Sequence, residues 1–169
     1  MIRDEAAGDA PAVRAVLEEA FASPVEAGIV DALRTACAGR LSLVAEEDGD
    51  IVGHILFTPV EVFAAEGVLR GYGLAPVAVR TAWQRRGVGS ALIAEGTRRL
   101  RDDGVSFVIV LGHPEYYPRF GFERASHYGV RCQWTGVPDE AFMLLVLDPA
   151  VAPQLGGIAR YRPEFDAAS

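Results

Sequence analysis

Val25, Ile29, Val30 and Leu33 recur at the spacing of one helix face, and Ser23-Pro24 just ahead of them is a helix start signal. That helix is predicted to run until Gly39. Asp9-Ala10-Pro11 gives a similar start for an earlier helix reaching about residue 21, with a cap candidate followed by a proline suited to a first turn. A short extended start at residues 1–3 precedes both. After the helices the pattern changes. Residues 41–46 and 51–63 read as strands joined by the Asp48-Gly49-Asp50 turn, and a second turn at 64–67 leads into a third strand at 68–80. These three form an antiparallel meander. Pro76 stands inside the third, where its missing N–H marks an edge, a bulge or a place where neighbouring strands part.

Beyond residue 88 the helical period returns. Leu92, Ile93, Gly96 and Leu100 trace one face while Glu95, Arg98, Arg99 and Asp102 trace the other, and Gly104 ends the helix. A glycine at 96 costs a helix about 1 kcal/mol relative to Ala, which points to a close approach to the sheet. Residues 105–111 are almost uninterruptedly apolar, as expected of a strand buried on both faces and parallel to the one before the helix. A short helical segment led by Pro114, a turn at Gly121 and an apolar strand at 142–147 follow. Residues 150–169, with Pro153, Gly156, Gly157 and Pro163, read as a surface tail. The expected fold class is α/β with a mixed sheet: an antiparallel meander, then a splayed parallel strand pair with a crossover helix. The expected organisation is one domain over 1–149, with 150–169 packed on or near it.

With 169 residues, half of them apolar, the chain can bury a core without metal or disulfide staples. Its formal charge of -7 argues against a nucleic-acid-coating protein and fits an amine-bearing partner. Cys37 and Cys132 lack the paired spacing of a zinc site or redox motif, so they read as reduced core thiols, and no metal is expected. With Asp4, Glu5, Asp9, Glu18 and Glu19 among the first twenty residues, no signal peptide is expected. No apolar run approaches the ~20 residues of a membrane span, so a cytoplasmic protein without membrane contact is expected.

The segment Val77-Ala78-Val79-Arg80-Thr81-Ala82-Trp83-Gln84-Arg85-Arg86-Gly87-Val88-Gly89-Ser90 runs a strand into a glycine-bearing loop and straight into a helix. Backbone N–H groups at a helix start have no intrahelical partners and carry the positive end of its dipole, so an anion can sit on them. Gly87 and Gly89 keep the approach open, and Gln84, Arg85 and Arg86 add donors suited to a diphosphate. The third glycine of the dinucleotide fingerprint is missing, and no Gly-Lys-Ser/Thr follows as a triphosphate loop requires. A merely basic strand-to-helix turn is the plainer reading of the same residues.

Gln84-x-x-Gly87-x-Gly89 resembles the pyrophosphate-binding motif of the GNAT family of acyl-CoA-dependent N-acyltransferases. A second block, His113-Pro114-Glu115-Tyr116-Tyr117-Pro118-Arg119-Phe120-Gly121-Phe122, resembles the Tyr-x-x-x-Gly-Phe ending of such domains. Together with Leu74-Ala75-Pro76-Val77-Ala78-Val79 and the Val110-Leu111-Gly112 run, it is similar to a bacterial subgroup of predicted GNAT N-acetyltransferases of the YhbS type. The resemblance covers roughly residues 41–147. It implies acetyl-CoA as co-substrate, its pyrophosphate held by Gln84, Arg85, Arg86, Gly87, Val88, Gly89 and Ser90. If Pro76 lets two parallel strands splay, the N–H groups of Val77, Ala78 and Val79 face a cleft that a pantetheine arm can complete by strand addition. The Ala78 N–H is then the expected oxyanion contact. Tyr117 matches the tyrosine that meets the CoA sulfur and is expected to hydrogen-bond the thiolate and supply its proton. An ordinary proline bulge and an aromatic cluster with Phe120 and Phe122 are the plainer readings of Pro76 and Tyr117. Tyr116 reads as a packing residue or as part of the acceptor pocket, and Trp83 as a packing residue or a stacking partner for substrate or cofactor. One departure matters: Gly112, His113 and Pro114 stand where many members place an asparagine on a longer helix, so that contact does not carry over.

An alkyl ammonium must lose a proton before it can attack, so a base or a water path is needed. His54, Glu61 and His113 are the candidates, with His113 nearest Tyr117 in sequence. The expected function is direct acetyl transfer from acetyl-CoA to a primary amine through a ternary complex. A small amine is favoured over a protein N-terminus, and the protein is expected as a monomer or homodimer. A non-catalytic acyl-CoA-binding sensor and a thioester hydrolase remain the alternatives.

Overall fold

The structure, a computed structural model, describes residues 1–168; Ser169, the last residue of the expected tail, lies outside them. In chain order the elements are β1 (Ile2–Asp4), α1 (Ala10–Phe21), α2 (Val25–Ala36), β2 (Leu41–Glu47), β3 (Asp50–Ala64), β4 (Gly67–Val79), α3 (Val88–Asp102), β5 (Phe107–Leu111), β6 (Glu123–Arg124), β7 (Val130–Cys132), β8 (Phe142–Val146) and β9 (Gly157–Arg160), with short 3-10 turns between. The chain divides into two compact units, and β3, β4 and α3 each run from one into the other.

The first unit holds Met1–Phe57, Ala75–Gly96 and 163–168. Its strands pair antiparallel, Arg3 opposite Val44 and Leu43 opposite Ile55, with a register shift at Ala45/Glu46. Val13, Val16 and Leu17 of α1, Ile29, Val30 and Leu33 of α2, and Leu43, Ile55 and Phe57 of the sheet are all buried. Asp9 does not cap α1. Its carboxylate accepts from the Ala6 N–H and is gripped by Arg3, so it fixes the turn before the helix instead. At α2, Ser23 Oγ accepts from the Val25 N–H, as the start signal implies, but the helix ends at Ala36, where Cys37 turns extended before Gly39 is reached. Gly96 of α3 lies where any side chain would collide with the Phe57 ring, the close approach expected from its sequence. Gly96→Ala is therefore predicted to destabilise the fold by about 1–3 kcal/mol through overpacking, read as a lowered denaturant midpoint at unchanged slope.

The second unit holds Thr58–Leu74 and Thr97–Arg162. β4 pairs parallel with β5 through Tyr72–Val108, Gly73–Ile109 and Leu74–Val110. β5 pairs antiparallel with β8, which also carries β6. The mixed sheet, a meander followed by a parallel pair with its crossover helix, is the expected class. Phe107, Val108 and Ile109 of β5 are wholly buried, the reason their stretch reads as a continuous apolar run. Two expectations need correction. Residues 114–116 form a turn, and the helical segment starts at Tyr117 (Tyr117–Phe120), with Pro118 in its first turn. The expected surface tail instead contributes β9, paired antiparallel with β3 at Glu61–Phe63 and parallel with β7, its Ala159 fully buried. Among the described residues no helix is long and apolar enough to cross a membrane.

Candidate functional site

In the first unit, β4 ends at Val79, a 3-10 turn spans Thr81–Trp83, and residues 84–87 turn into α3. The Ala91 N–H donates to the Gly87 carbonyl at 3.0 Å, so Gly87 is the cap and the first-turn N–H groups of the helix follow it directly. Arg85 and Gly87 both sit in the left-handed region, at φ 64 and φ 84. Left-handed residues in such a turn aim successive N–H groups into one concavity, a ready anion nest. Nothing lies within 4 Å of where a side chain on Gly87 would begin, so the approach is open as the sequence implies. Among the described residues no carboxylate pairs with Arg85 or Arg86, whereas Arg80, a few residues earlier, is tied to Glu19. The Arg86 guanidinium lies 5.1 Å over the Trp83 ring, which is only partly buried. Gln84 donates its amide to the Val79 carbonyl at 3.1 Å, fastening the loop to the end of β4.

Backbone directions at that strand end revise the expected donors. The Arg80 N–H donates to the Val52 carbonyl of β3 at 2.9 Å, and the Ala78 carbonyl oxygen lies 3.4 Å from where a side chain on Gly53 would begin. In an extended strand, N–H and C=O of one residue point to the same side and alternate along the chain. Ala78 therefore turns both groups towards β3, and Val77 and Val79 turn theirs away. The Val79 carbonyl, taken by Gln84, confirms that sense. The oxyanion role expected of the Ala78 N–H is corrected on this ground, and the outward donors are Val77 and Val79. The ladder between β4 and β5 ends at Leu74, two residues before Pro76.

In the second unit, Tyr117 opens the 3-10 turn after β5, its N–H held by the His113 carbonyl. Its ring packs on Gly112, where any side chain would collide with it, and meets Tyr116 and Phe122 edge-on at 5.2 and 5.7 Å. Tyr116 packs edge-on to Phe120. The aromatic cluster is real and still leaves a buried phenol at Tyr117. Burial, and secondarily Tyr116, push that phenol up to about 12. Tyr161, which follows β9, is also buried, stacked on Trp134 at 5.1 Å, and its electrostatic environment includes Tyr117 and Cys132. No sequence signal pointed to it. His113 is exposed at the start of the Tyr117 turn. Glu61 makes a surface pair with Arg70 at 3.7 Å. His54 is wholly buried, and its burial holds the imidazole down at about 4. Cys37 is buried, and burial pushes the half-buried Cys132 thiol upward.

A family model described as "Acetyltransferase (GNAT) domain" matches residues 1–125. The N-acetyltransferase YhbS of Escherichia coli K12, itself uncharacterised, is 36% identical over 98% of both chains. The crystal structure of E. coli YhbS in complex with CoA superposes with a TM-score of 0.90, covering 98% of this chain and 91% of that one. A GNAT family acetyltransferase from Brucella melitensis, solved in complex with acetyl-CoA, gives a TM-score of 0.80 at 37% identity over 98% of this chain and 97% of that one. The likeness extends past the residues that carry the sequence motifs to nearly the whole chain. By its family model and by these relatives, the chain belongs to the GNAT family of N-acetyltransferases.

Proposed function

We propose that this protein holds acetyl-CoA with its diphosphate on the 84–90 loop and transfers the acetyl group directly to a primary amine in a ternary complex. The observation that carries the reading is the loop itself: a nest of N–H groups at the start of a 15-residue helix, flanked by two arginines that no described carboxylate neutralises. The CoA and acetyl-CoA bound by the two relatives support it. Gln84 acts by fixing the loop, while Arg85, Arg86, Gly87, Val88, Gly89 and Ser90 surround the diphosphate. The outward N–H groups of Val77 and Val79 bond the amides of the pantetheine arm, and the one nearer the thioester stabilises its developing oxyanion. Tyr117 hydrogen-bonds the departing sulfur. A thiol pushed upward by burial is a poor nucleophile, so Cys132 does not form an acyl-enzyme, and Cys37 lies in the core. The charge of -7 favours a small cationic amine in the cytoplasm as acceptor.

Free-thiol release from acetyl-CoA across a panel of primary amines tests this, with release expected only when an accepted amine is present. Tight binding without turnover on any amine would make the protein a binding module, and amine-independent release a hydrolase. Arg85→Glu/Arg86→Glu is predicted to weaken acetyl-CoA about tenfold or more and to leave acetyl-pantetheine, which lacks the diphosphate, unaffected in a calorimetric titration.

A further inference from the structure

Glu5, Ser42 and His54 come from three separate stretches of the first unit and meet in one hydrogen-bonded chain. Ser42 Oγ donates to Glu5 Oε2 at 2.6 Å and lies 2.9 Å from His54 Nε2. Arg34 of α2 grips the other oxygen, Glu5 Oε1, through Nε and Nη2 at 3.0 and 2.7 Å, and turns Nη1 to Asp31 at 2.6 Å. The direction of the chain follows from counting hydrogens. A carboxylate only accepts, so the single Ser42 hydrogen goes to Glu5, and Ser42 must accept from His54. His54 therefore carries its proton on Nε2. Its Nδ1 is a bare, basic nitrogen, wholly buried and without a hydrogen-bond partner. Buried polar atoms are rarely left so, and an isolated one calls for an explanation.

Its place in the sheet supplies one. The Arg80–Val52 hydrogen bond sets Val52 opposite Arg80, and hence His54 opposite Ala78 on the neighbouring strand. Cross-strand partners share a face. The bare nitrogen belongs to the residue directly across from the β4 segment assigned to the thioester arm, where its cross-strand neighbour is no larger than a methyl group.

We infer that Glu5, Ser42 and His54 form a proton shuttle for the acetyl transfer, an inference that rests on the function proposed above. As the neutral amine forms its C–N bond to the thioester carbon, the nitrogen gives a proton to a water that bridges the cleft and His54 Nδ1, and that water gives one of its own to Nδ1. At the same time the Nε2 hydrogen passes to Ser42 Oγ and the Ser42 hydrogen to Glu5 Oε2. When the C–S bond breaks, the chain runs backward: Glu5 returns its proton to Ser42, Ser42 to Nε2, and Nδ1 returns its proton through the same water to the sulfur. One N–H is broken and one S–H made, and the imidazole regains its starting tautomer. The low proton affinity of the buried ring suits a carrier on which no proton rests.

The test uses the best amine of the panel. Ser42→Ala is expected to lower kcat about a hundredfold, with acetyl-CoA affinity close to that of the parent and a folded protein whose thermal midpoint is lowered by the Nε2–H left unpaired. Ser42→Thr, which restores the hydroxyl, should recover most of the rate, and His54→Gln should match the loss. The proton inventory in H2O/D2O mixtures should be curved in the parent and linear in Ser42→Ala. If Ser42→Ala does not fold, Ser42→Cys is read in the same way. Wild-type turnover in folded Ser42→Ala, or loss there without loss in His54→Gln, would overturn the shuttle while leaving acetyl transfer intact. Absence of turnover by the parent on every amine would instead overturn the acetyl-transfer reading, and the shuttle with it.

Discussion

Tyr117→Phe should lower kcat about a hundredfold while acetyl-CoA binds as tightly as before. The substitution removes one oxygen and keeps the ring that packs on Gly112, Tyr116 and Phe122, so the fold is not in question. What is lost is a hydrogen bond that matters only as the C–S bond breaks. The pKa direction sharpens this role. Even in water a thiol, at about 8.5, holds its proton less tightly than a phenol, at about 10, and burial pushes the Tyr117 phenol further up, to about 12. In the proposed mechanism Tyr117 therefore acts by donating a hydrogen bond to the departing sulfur and keeps its proton. Because the phenol stays protonated well past neutrality, its ionisation should impose no alkaline limb on kcat over about pH 6–9. Steady-state kinetics paired with binding calorimetry checks both points. Unchanged turnover in Tyr117→Phe would remove the residue from the reaction.

The second large effect concerns stability. His54 titrates at about 6.5 in an unfolded chain but is held at about 4 in the fold, first by burial and further by Arg34, against the opposing pull of Glu5. Between these values the unfolded chain binds a proton that the folded one refuses. Stability is thus fully present above about pH 6.5, falls as the pH drops through the window, and levels off below about 4. The loss attributable to His54 is about 3 kcal/mol, on the order of a third of the stability of an ordinary domain. Urea melts from pH 7 to 4 should show it in the parent. His54→Gln, less stable at neutrality, should show a flatter profile over the same range. Parallel curves for the two proteins would mean that the ring titrates normally.

What the sequence revealed depended on how local each signal was. The parallel strand declares itself because Phe107, Val108 and Ile109 are covered on both faces, leaving no polar alternation to confuse the reading. The anion loop was legible because its glycines, arginines and helix start are contiguous. β9 was not: the four residues Gly157–Arg160 gain strand character only from partners on β3 and β7, far away in sequence. The choice between Ala78 and its neighbours as outward donors turned on register, where a slip of one residue reverses every direction, and only the Arg80–Val52 bond fixed it. Glu5, Ser42 and His54 are each unremarkable alone. Their chain exists because β2 and β3 pair beside the turn that carries Glu5. Asp9 looked like a helix cap because the pattern before Pro11 is that of a cap, but Arg3 offers its carboxylate a charged partner that the local sequence cannot show.

The central claim is transfer of acetyl from a thioester to nitrogen. Its most direct test is mass spectrometry of the products formed from acetyl-labelled acetyl-CoA and an accepted amine. The account predicts label on the amine nitrogen in a one-to-one ratio with free CoA; label recovered as acetate, with the amine unmodified, would contradict it.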